Sequence, residues 1–328
     1  MGSIMKRMIS LAVIAVAGIT SVTNVAAAEY PDASKSIRWI VPYPPGGGSD
    51  FVARHLSSHL KELFKGQPFM VDNRAGGATV IGMQATATAQ PDGYTIGLAT
   101  DTLLASQFFL KSVPYSPSDF APVYLPAASP MFFLVKPDAP VNTFEEAVEW
   151  MKKNDGKLTY ATWGHGSTAH LAMEDLSDRI GVNLIHVPYQ GASPSMVAML
   201  GGQVDILLAS ANISMQHINT GKLKPLAVST KDSIPQMPNV PPISQTLPGF
   251  DYSAWMGVVA PKDTPKENIE KLSNAFSVLM ENSDVVKALT DRGEIIIAKP
   301  SKEFGELINN DYARIKMLTE KRNLSVVE

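Results

Sequence analysis

The sequence predicts an α/β protein made of two lobes. Short apolar runs rich in β-branched residues alternate with amphipathic helical patterns, an order typical of parallel sheets covered by helices. The alternation occurs once over residues 37–99 and again after Pro137. With 328 residues, the chain is also longer than one hydrophobic core usually takes. Two similar halves in one chain indicate two lobes, each with a mainly parallel central sheet, and a cleft between them.

The first residues predict an export signal that is cleaved near Ala28. Lys6 and Arg7 precede an uncharged run over residues 8–19, and alanines at positions 26–28 offer a cleavage site. A membrane anchor is the alternative, but the apolar run is shorter than the ~20 residues that a spanning helix needs. We therefore expect residues 1–28 to be a signal peptide and the mature protein to be periplasmic.

Composition excludes several classes of function. The chain has no cysteine, which excludes disulfides, thiolate metal sites and a lipid-modified cysteine. A formal net charge of -3, with no basic run, argues against a nucleic-acid partner. We expect no cofactor and no metal, and nothing in the sequence requires more than a monomer.

The elements of each half follow in order. In the first half, strands are expected at residues 37–41, 69–72 and 94–99, and helices at residues 50–63 and near Gly82. In the second, a capping pair, Thr143 and Glu146, opens a helix. The strands expected after it lie at residues 158–162, 184–187, 204–209 and 226–229.

A strand at residues 255–260 and two further helices complete the chain. Because these helices have no sheet of their own to cover, we expect them to return to the first lobe. Lobe I would then comprise residues 29–132 and 250–328, and lobe II residues 133–249. Such a chain crosses between the lobes twice, which makes a hinge.

The segment YPPGGGSD, residues 43–50, carries the clearest functional signal because it lies between an apolar strand and a helix. Glycines let the backbone approach a ligand, and a helix N-terminus offers unpaired N–H groups to an anion. The spacing is neither G-x-G-x-x-G nor G-x-x-x-x-G-K-[ST], which excludes the common nucleotide loops. The alternative is that Ser49 or Asp50 merely caps the helix.

The segment TWGHGSTAH, residues 162–170, is the counterpart in the second half. A serine nucleophile is one alternative, but Gly166 directly precedes Ser167, so the G-x-S-x-G elbow is missing. A metal site is another, but His165 and His170 have no acidic or thiol partner nearby in the sequence. We therefore expect no catalytic residue and no metal ligand here. Trp163 is either a packing residue or a wall of the ligand site.

Further loops follow strands at the same edge of each predicted sheet, where open α/β sheets bind ligands. They add candidate ligand contacts at Thr100 in the first half, and at Tyr189, Gln190 and Ser210 in the second. Arg74 lies in a similar loop, and a surface salt bridge is the favoured interpretation for it.

Seven segments together resemble the Bug or TctC-type receptors of tripartite tricarboxylate transport systems. They are VPYPPGGGSD from Val41, DNRAGGATVIG from Asp72, PDGYTIGLAT from Pro91, GHGSTAHLA from Gly164, HVPYQGASPSM from His186, GGQVDILL from Gly201 and WMGVVAPKDTP from Trp255. One glycine-rich match is weak, whereas seven in the family's order, over nearly the whole mature chain, are specific.

The resemblance implies a type II periplasmic binding fold that holds a small organic acid between its lobes. The solute would be a di- or tricarboxylate or an aromatic carboxylate, captured by lobe closure and delivered to integral-membrane transporter subunits. The family's ligand role falls on the residues of the two glycine-rich loops: Tyr43, Gly48, Ser49, Asp50, Gly166, Ser167, Thr168 and His170.

Three departures from the family pattern leave the identity of the acid open. Trp163 replaces a small residue, Gln190 stands where lysine is common, and Ala209 with Ser210 replaces a frequent Phe-Asp pair. Three other classes stay as alternatives. A sensor subunit would present its closed form to a membrane signalling partner, a receptor of an ABC system would share the fold, and an enzyme would need a nucleophile or carboxylate pair that these loops lack.

Overall fold

The structure is a computed structural model, and it describes residues 30–32 and 34–322. The predicted signal peptide, residues 1–28, lies outside the described residues. Within the described part of the chain, none of the helices combines the length and the apolar character that crossing a membrane requires.

The first half forms the predicted alternation of strands and helices. Its elements are β1 (Ile37–Val41), α1 (Gly48–Leu63), β2 (Phe69–Asn73), α2 (Val80–Ala87), β3 (Thr95–Ala99), α3 (Thr102–Phe109) and β4 (Phe120–Val135). Strand β1 is the centre of this sheet, with β2 and β3 parallel to it on either side. We call the part of the molecule built on these three parallel strands lobe I.

The second half repeats the pattern. Its elements are α4 (Phe144–Lys153), β5 (Thr159–Thr162), α5 (Thr168–Ile180), β6 (Ile185–Pro188), α6 (Ala192–Leu200), β7 (Ile206–Ser210), α7 (Ala211–Asn219) and β8 (Lys224–Val228). Strand β5 is parallel to both β6 and β7. The part built on these strands is lobe II. In α4, the hydroxyl of Thr143 accepts from the amide of Glu146, as predicted, but the Glu146 carboxylate bonds the amide of Asn142.

The C-terminal part contributes β9 (Ser253–Pro261), α8 (Lys266–Met280), α9 (Ser283–Thr290), β10 (Ile295–Pro300) and α10 (Ser301–Arg322). Strand β9 lies between β3 and β4, antiparallel to both. Helix α8 packs on lobe I, where the rings of Trp39 and Phe276 meet edge to face at 5.6 Å. The order across the whole curled sheet is β2-β1-β3-β9-β4-β7-β5-β6, and β8 and β10 also pair with β4.

Strand β4 runs through both lobes, and the sequence analysis missed it. Up to Pro130, which pairs with Ser253, it bonds to β9; from Met131, which pairs with Ser210, it bonds to β7 and β8. Prolines at positions 122, 126 and 130 argue against a central strand, because proline donates no ladder hydrogen bond. Here the ladder to β9 shifts register around the first two of them, so the missing donors fall at irregularities.

The packing of β9 against α10 depends on a residue without a side chain. A Cβ added to Gly257 would overlap the ring of Phe304, which is fully buried. The aromatic ring cannot move aside cheaply, because Trp255 also meets it edge to face at 5.4 Å. Gly257 therefore allows α10 to lie close to the sheet.

We predict that Gly257→Ala lowers the free energy of unfolding by about 2 kcal/mol, because it overpacks a rigid core. Chemical denaturation monitored by circular dichroism measures this. Gly305→Ala, in the facing helix, is the matched control: its nearest neighbour would be Pro122 at an ordinary 3.5 Å, so stability should hold or rise slightly. Equal stability of wild type and Gly257→Ala would contradict the close approach.

Candidate functional site

In the described part of the chain, five helices begin around the inner part of the cleft between the lobes, and α2 begins further out, after Thr79. The first residues of the five follow Gly47 in α1, Asp101 in α3, Ser167 in α5, Gly191 in α6 and Ser210 in α7. Each N-terminus carries N–H groups without a helical partner and a partial positive charge. The strands set this arrangement, because the carboxyl ends of both parallel sheets face the same cleft.

Most of these helix ends are open to a ligand. Among the described residues, no side-chain cap bonds the first-turn amides of α1, α3, α6 or α7. Helix α5 differs, because the Ser167 hydroxyl accepts from the amide of His170 at 3.3 Å. The cleft therefore presents backbone donors from both lobes to whatever occupies it.

These helix ends surround an inner compartment of about 600 Å³, counting the space that is continuous with solvent. It brings together seven of the residues predicted for the site: Tyr43, Gly48, Ser49, Thr100, Trp163, Thr168 and Ser210. Lysine and arginine are absent from its lining within residues 30–32 and 34–322. Asp101 and Tyr43 are the side chains there that can ionise.

Several lining residues were missed by the sequence analysis: Asp101, Ser129, Asn212, Ala254 and Met256. Asp101 follows Thr100 in a loop that the sequence analysis placed at the cleft, so Asp101 could have been predicted from the sequence. Ser129 and Met256 instead lie inside β4 and β9, where the two strands cross the floor of the cleft. Loop motifs could not identify them.

Three polar atoms of the inner compartment are buried without a hydrogen bond of normal geometry among the described residues. They are Asp101 Oδ1, Ser129 Oγ and Thr168 Oγ1, and of these Thr168 lies close enough to Asp101, and Ser129 to Glu294, to oppose the rise in pKa of each carboxyl. Native proteins rarely leave buried polar atoms unpaired, and such atoms call for a ligand or water. By contrast, the Tyr43 hydroxyl lies 2.8 Å from Thr100 Oγ1, and burial raises the pKa of Tyr43 to about 12. Tyr43 is therefore a neutral group.

Four predicted ligand residues have partners inside the protein instead of lining the inner compartment. Asp50 accepts from the Gly46 amide at 3.0 Å and from Arg54 at 2.9 Å. Ser167 donates to the Gly164 carbonyl at 2.7 Å, and His170 accepts from the Gly166 amide at 3.1 Å. These contacts shape the two glycine-rich loops, and a direct ligand role for the four, Asp50, Gly166, Ser167 and His170, stays a prediction.

An outer compartment adjoins the first and contains the remaining predicted residues, Tyr189 and Gln190. Four residues line both compartments: Tyr43, Pro44, Trp163 and Gly191. The outer compartment also has buried atoms without a partner in the described chain: Thr79 Oγ1, Thr102 Oγ1 and His165 Nδ1. Arg74 is not among its lining residues, and it forms the expected salt bridge, with Asp72 at 2.8 Å.

Residues 76–79 form a strained wall of the outer compartment. All four have positive φ, from 49° at Ala78 to 123° at Gly76. Ala78 and Thr79 have side chains and are disfavoured in this region, by roughly 1–3 kcal/mol each. Strain of this kind persists where surrounding contacts impose it, and it is common in ligand sites.

Three histidines lie together beside the outer compartment. Their nearest ring nitrogens, in His165, His170 and His186, are all within 4.8 Å of one another. The rings of His170 and His186 stack at 4.1 Å and 12°, so their in-plane lone pairs point in parallel and not at one ion. Burial lowers the pKa of all three, that of His186 to about 3, and they are neutral at neutral pH.

The two lobes touch at Gly48. A Cβ added there would overlap the side-chain amide of Asn212, on α7 of lobe II. Asn212 in turn donates to Glu294 Oε1 at 2.5 Å, and Glu294, before β10, is 1% exposed. Gly48 therefore leaves the space in which this bond between α7 and the C-terminal part forms.

We predict that Gly48→Ala lowers the free energy of unfolding by about 1–2 kcal/mol, because the methyl group displaces Asn212 and leaves Glu294 buried without its donor. Denaturation of Gly48→Ala, Asn212→Ala and the double variant measures the coupling. The double variant should lose less than the sum of the single ones. Strict additivity would show that the two residues are not in contact.

Comparisons with known proteins agree with this geometry. Residues 52–324 match the family model described as "Tripartite tricarboxylate transporter family receptor". A Pseudomonas sp. (strain P51) protein, described as "UPF0065 protein in tcbD-tcbE intergenic region", is 39% identical over 288 residues, which cover 86% of this chain and 84% of the relative.

Solved structures share the fold. The periplasmic binding protein BugD has a TM-score of 0.83 at 29% identity, covering 89% of this chain and 99% of its own. An R. palustris protein solved with adipate has a TM-score of 0.86 at 26% identity, covering 90% and 99%. MatC from Rhodopseudomonas palustris, solved with bound malate, has a TM-score of 0.80 at 27% identity, covering 87% and 98%.

These similarities confirm the predicted α/β periplasmic binding fold. They also confirm the resemblance that the seven sequence segments indicated. The chain belongs to the Bug/TctC family of solute-binding receptors, the receptor family of tripartite tricarboxylate transporters.

Proposed function

We propose that this protein is a periplasmic receptor that captures a small organic acid between its lobes, delivers it to a membrane transporter and catalyses no reaction. One observation carries the proposal. Five helix N-termini surround a compartment whose lining, among the described residues, includes three residues with a buried oxygen that lacks a hydrogen bond, and has no basic side chain. A carboxylate is the ligand that fits such donors.

Backbone amides would hold the carboxylate, mainly those at the start of α1 in lobe I and of α5, α6 and α7 in lobe II. Without a guanidinium to clamp both carboxylate oxygens, affinity depends on fixed backbone donors and on bridging water. The same donors accept any carboxylate of suitable length. The remaining walls of the cleft therefore decide which acid is retained.

Capture would occur by closure of lobe I, residues 29–132 and 250–328, on lobe II, residues 133–249. The change of partners in β4 between Pro130 and Met131 supports this division, and Ser253 pairs with β4 at the same level. A ligand that contacts both lobes stabilises the closed form, which a transporter can distinguish from the open one. A monomer suffices for this mechanism.

Trp163 supports a preference for a long or aromatic acid. It lies between the inner and outer compartments, where a flat apolar side chain can cover the middle of an elongated solute. Related structures contain acids of different length, adipate in one and malate in another. An acid that spans both compartments would also reach the unpaired polar atoms beside Thr79 and His165.

A thermal-shift screen of the ligand-stripped protein tests the proposal, because a ligand that binds the folded state raises the melting temperature. Dicarboxylates, tricarboxylates and aromatic acids should stabilise the protein, and sugars and nucleotides should not. Stabilisation by sugars alone would overturn the carboxylate assignment. Loss of uptake of the identified acid in cells that lack this protein would then test delivery.

We predict that Thr168→Val weakens binding of the identified acid about tenfold, because it removes a hydroxyl of the cleft lining that forms no hydrogen bond of normal geometry in the described chain. For the same reason the ligand-free protein should keep its stability. Ser177→Ala is the control on the same helix, since its hydroxyl donates to the Met173 carbonyl at 2.7 Å and should leave affinity unchanged. Calorimetric titration measures both. Unaltered affinity in Thr168→Val would exclude the contact.

We predict that Trp163→Ala weakens aromatic acids about tenfold more than aliphatic ones, because a ring loses its stacking partner as well as buried area. Titration with one aromatic and one aliphatic acid of similar length gives the ratio. An equal loss for both acids would show that Trp163 only packs against the protein.

A further inference from the structure

We propose that Asp101 binds the solute's carboxylate in its protonated, neutral form, so that the protein takes up a proton with each solute it captures. The proposal rests on the carboxylate receptor function proposed above and adds a residue that determines specificity. It makes Asp101 a hydrogen-bond donor to an anion, which is an unusual role for an acidic side chain.

The position of Asp101, at the start of α3, leaves one oxygen of its carboxyl group without a hydrogen bond in the described chain. It occupies the N-cap of α3, where an aspartate usually bonds the amides of the first turn. Among the described residues, no capping hydrogen bond of normal geometry forms and Oδ1 has no hydrogen bond, although the Thr168 hydroxyl and the Thr102 amide lie close enough to stabilise the ionised carboxyl. The residue is nevertheless only 2% exposed, and it lines the inner compartment. The residue therefore borders the space that the solute would fill.

The surroundings of Asp101 contain no free cation within the described chain. Arg314 of α10 is nearby, but it is engaged by Asp311 at 3.2 Å and lies over the ring of Tyr252 at 4.9 Å. Asp311 adds a like charge on the same side, and it also accepts from Trp255 at 2.8 Å. Tyr43, on the loop before α1, and His170, on α5, are both neutral.

The charge balance of the compartment follows from these contacts. Burial, helped by the like charge of Asp311, raises the pKa of Asp101 to about 7, although the Thr168 hydroxyl, Arg314 and the Thr102 amide oppose the shift. A carboxylate ligand would add a second negative charge at close range, which raises the pKa of Asp101 again. The bound complex therefore retains the proton at a pH where the empty protein has begun to lose it.

A protonated carboxyl group suits the ligand in geometry as well as in charge. It can donate its O–H to a carboxylate oxygen, and hydrogen bonds with one ionised partner are about twice as strong as neutral ones. An ionised Asp101 would instead repel a carboxylate, and it would favour a solute with an ammonium group. No lysine or arginine in the described lining can neutralise Asp101. When a simple dicarboxylate binds, Asp101 is therefore neutralised by a proton.

The sign of the pH dependence follows. Because binding raises the pKa of Asp101, binding takes up a proton, and affinity falls as pH rises above the pKa of the empty protein. Because one proton is taken up, affinity falls by at most about tenfold for each pH unit. Below about pH 7 the empty protein is already protonated at Asp101, so affinity should level off there.

Calorimetric titration with adipate, from about pH 6.5 to about pH 8.5, tests the proposal; the carboxyls of such an acid are already ionised above about pH 6. If adipate is not the solute, the strongest simple dicarboxylate of the thermal-shift screen replaces it. Titration in two buffers with different ionisation enthalpies counts the protons directly. Wild type should lose at least fivefold in affinity over this range and take up a proton, and Asp101→Asn should show neither effect.

Glu294→Gln is the matched control, because Glu294 is the second buried acid whose pKa burial raises to about 7, and it lies next to the cleft. The pH dependence should persist in Glu294→Gln. A flat profile in wild type, a profile that persists in Asp101→Asn, or one that disappears only in Glu294→Gln would each overturn the role of Asp101. If Asp101→Asn does not fold, a flat profile in wild type still overturns the proposal, and loss of the pH dependence in Glu294→Gln still assigns it to the other acid.

Failure of the role proposed for Asp101 can be distinguished from failure of the proposed receptor function. If no carboxylate binds at any pH, the carboxylate assignment fails and Asp101 is not at issue. If carboxylates bind with the same affinity at every pH, only the proton coupling fails. Tighter binding of an amino acid than of the matching dicarboxylate, increasing above about pH 7, would show that Asp101 acts as an anion.

Discussion

Strand β4 pairs with β9 and β10 in its first part and with β7 and β8 in its last part, so it is the floor on which both lobes are built. The lobes are separate bodies above it, and the cleft is the space between them. Because β4 is continuous, a rotation of one lobe relative to the other must be absorbed near Pro130 and Met131, where the hydrogen-bonding partners change. The site lies directly above this level, where Ser129 forms part of the lining.

The second constraint is the direction of the parallel strands. Each sheet directs the carboxyl ends of its strands, and hence the N-termini of the helices that follow, toward the same cleft. The electrostatic character of the site is thus a property of the backbone, and it needs no positive side chain. A binding site of this kind tolerates change in its side chains, because the donors for the anion are part of the fold.

The sequence indicates much of the architecture and part of the site. Strands such as β1 are apolar runs bounded by turn residues, and the helix that Thr143 opens is amphipathic, with Phe144 and Met151 of α4 buried. The sequence analysis did not predict β4, because its prolines argue against a central strand. Strand β10 was not predicted either, and it too is irregular: Ala298 has a φ of 49° at a break in the ladder to β4.

Contacts between distant parts of the chain could not be predicted from the sequence either. Asn212 bonds Glu294, 82 residues away, and His186 joins two histidines of another loop. Neither pairing leaves a local pattern, because tertiary packing alone brings these segments together. The loop motifs did identify the helix ends of the cleft, since there the chemistry depends on backbone near the motif itself.

The contact at Gly48 has a consequence for how receptors of this kind can change over evolutionary time. In the receptor function proposed above, the same small residue would give the ligand access to the amides of α1, and it lets Asn212 approach from the other lobe. Recognition and the contact between the lobes would then both depend on one missing side chain. Trp163 is partly buried and lines both compartments, so a receptor of this design would change its solute preference more readily around Trp163 than at Gly48.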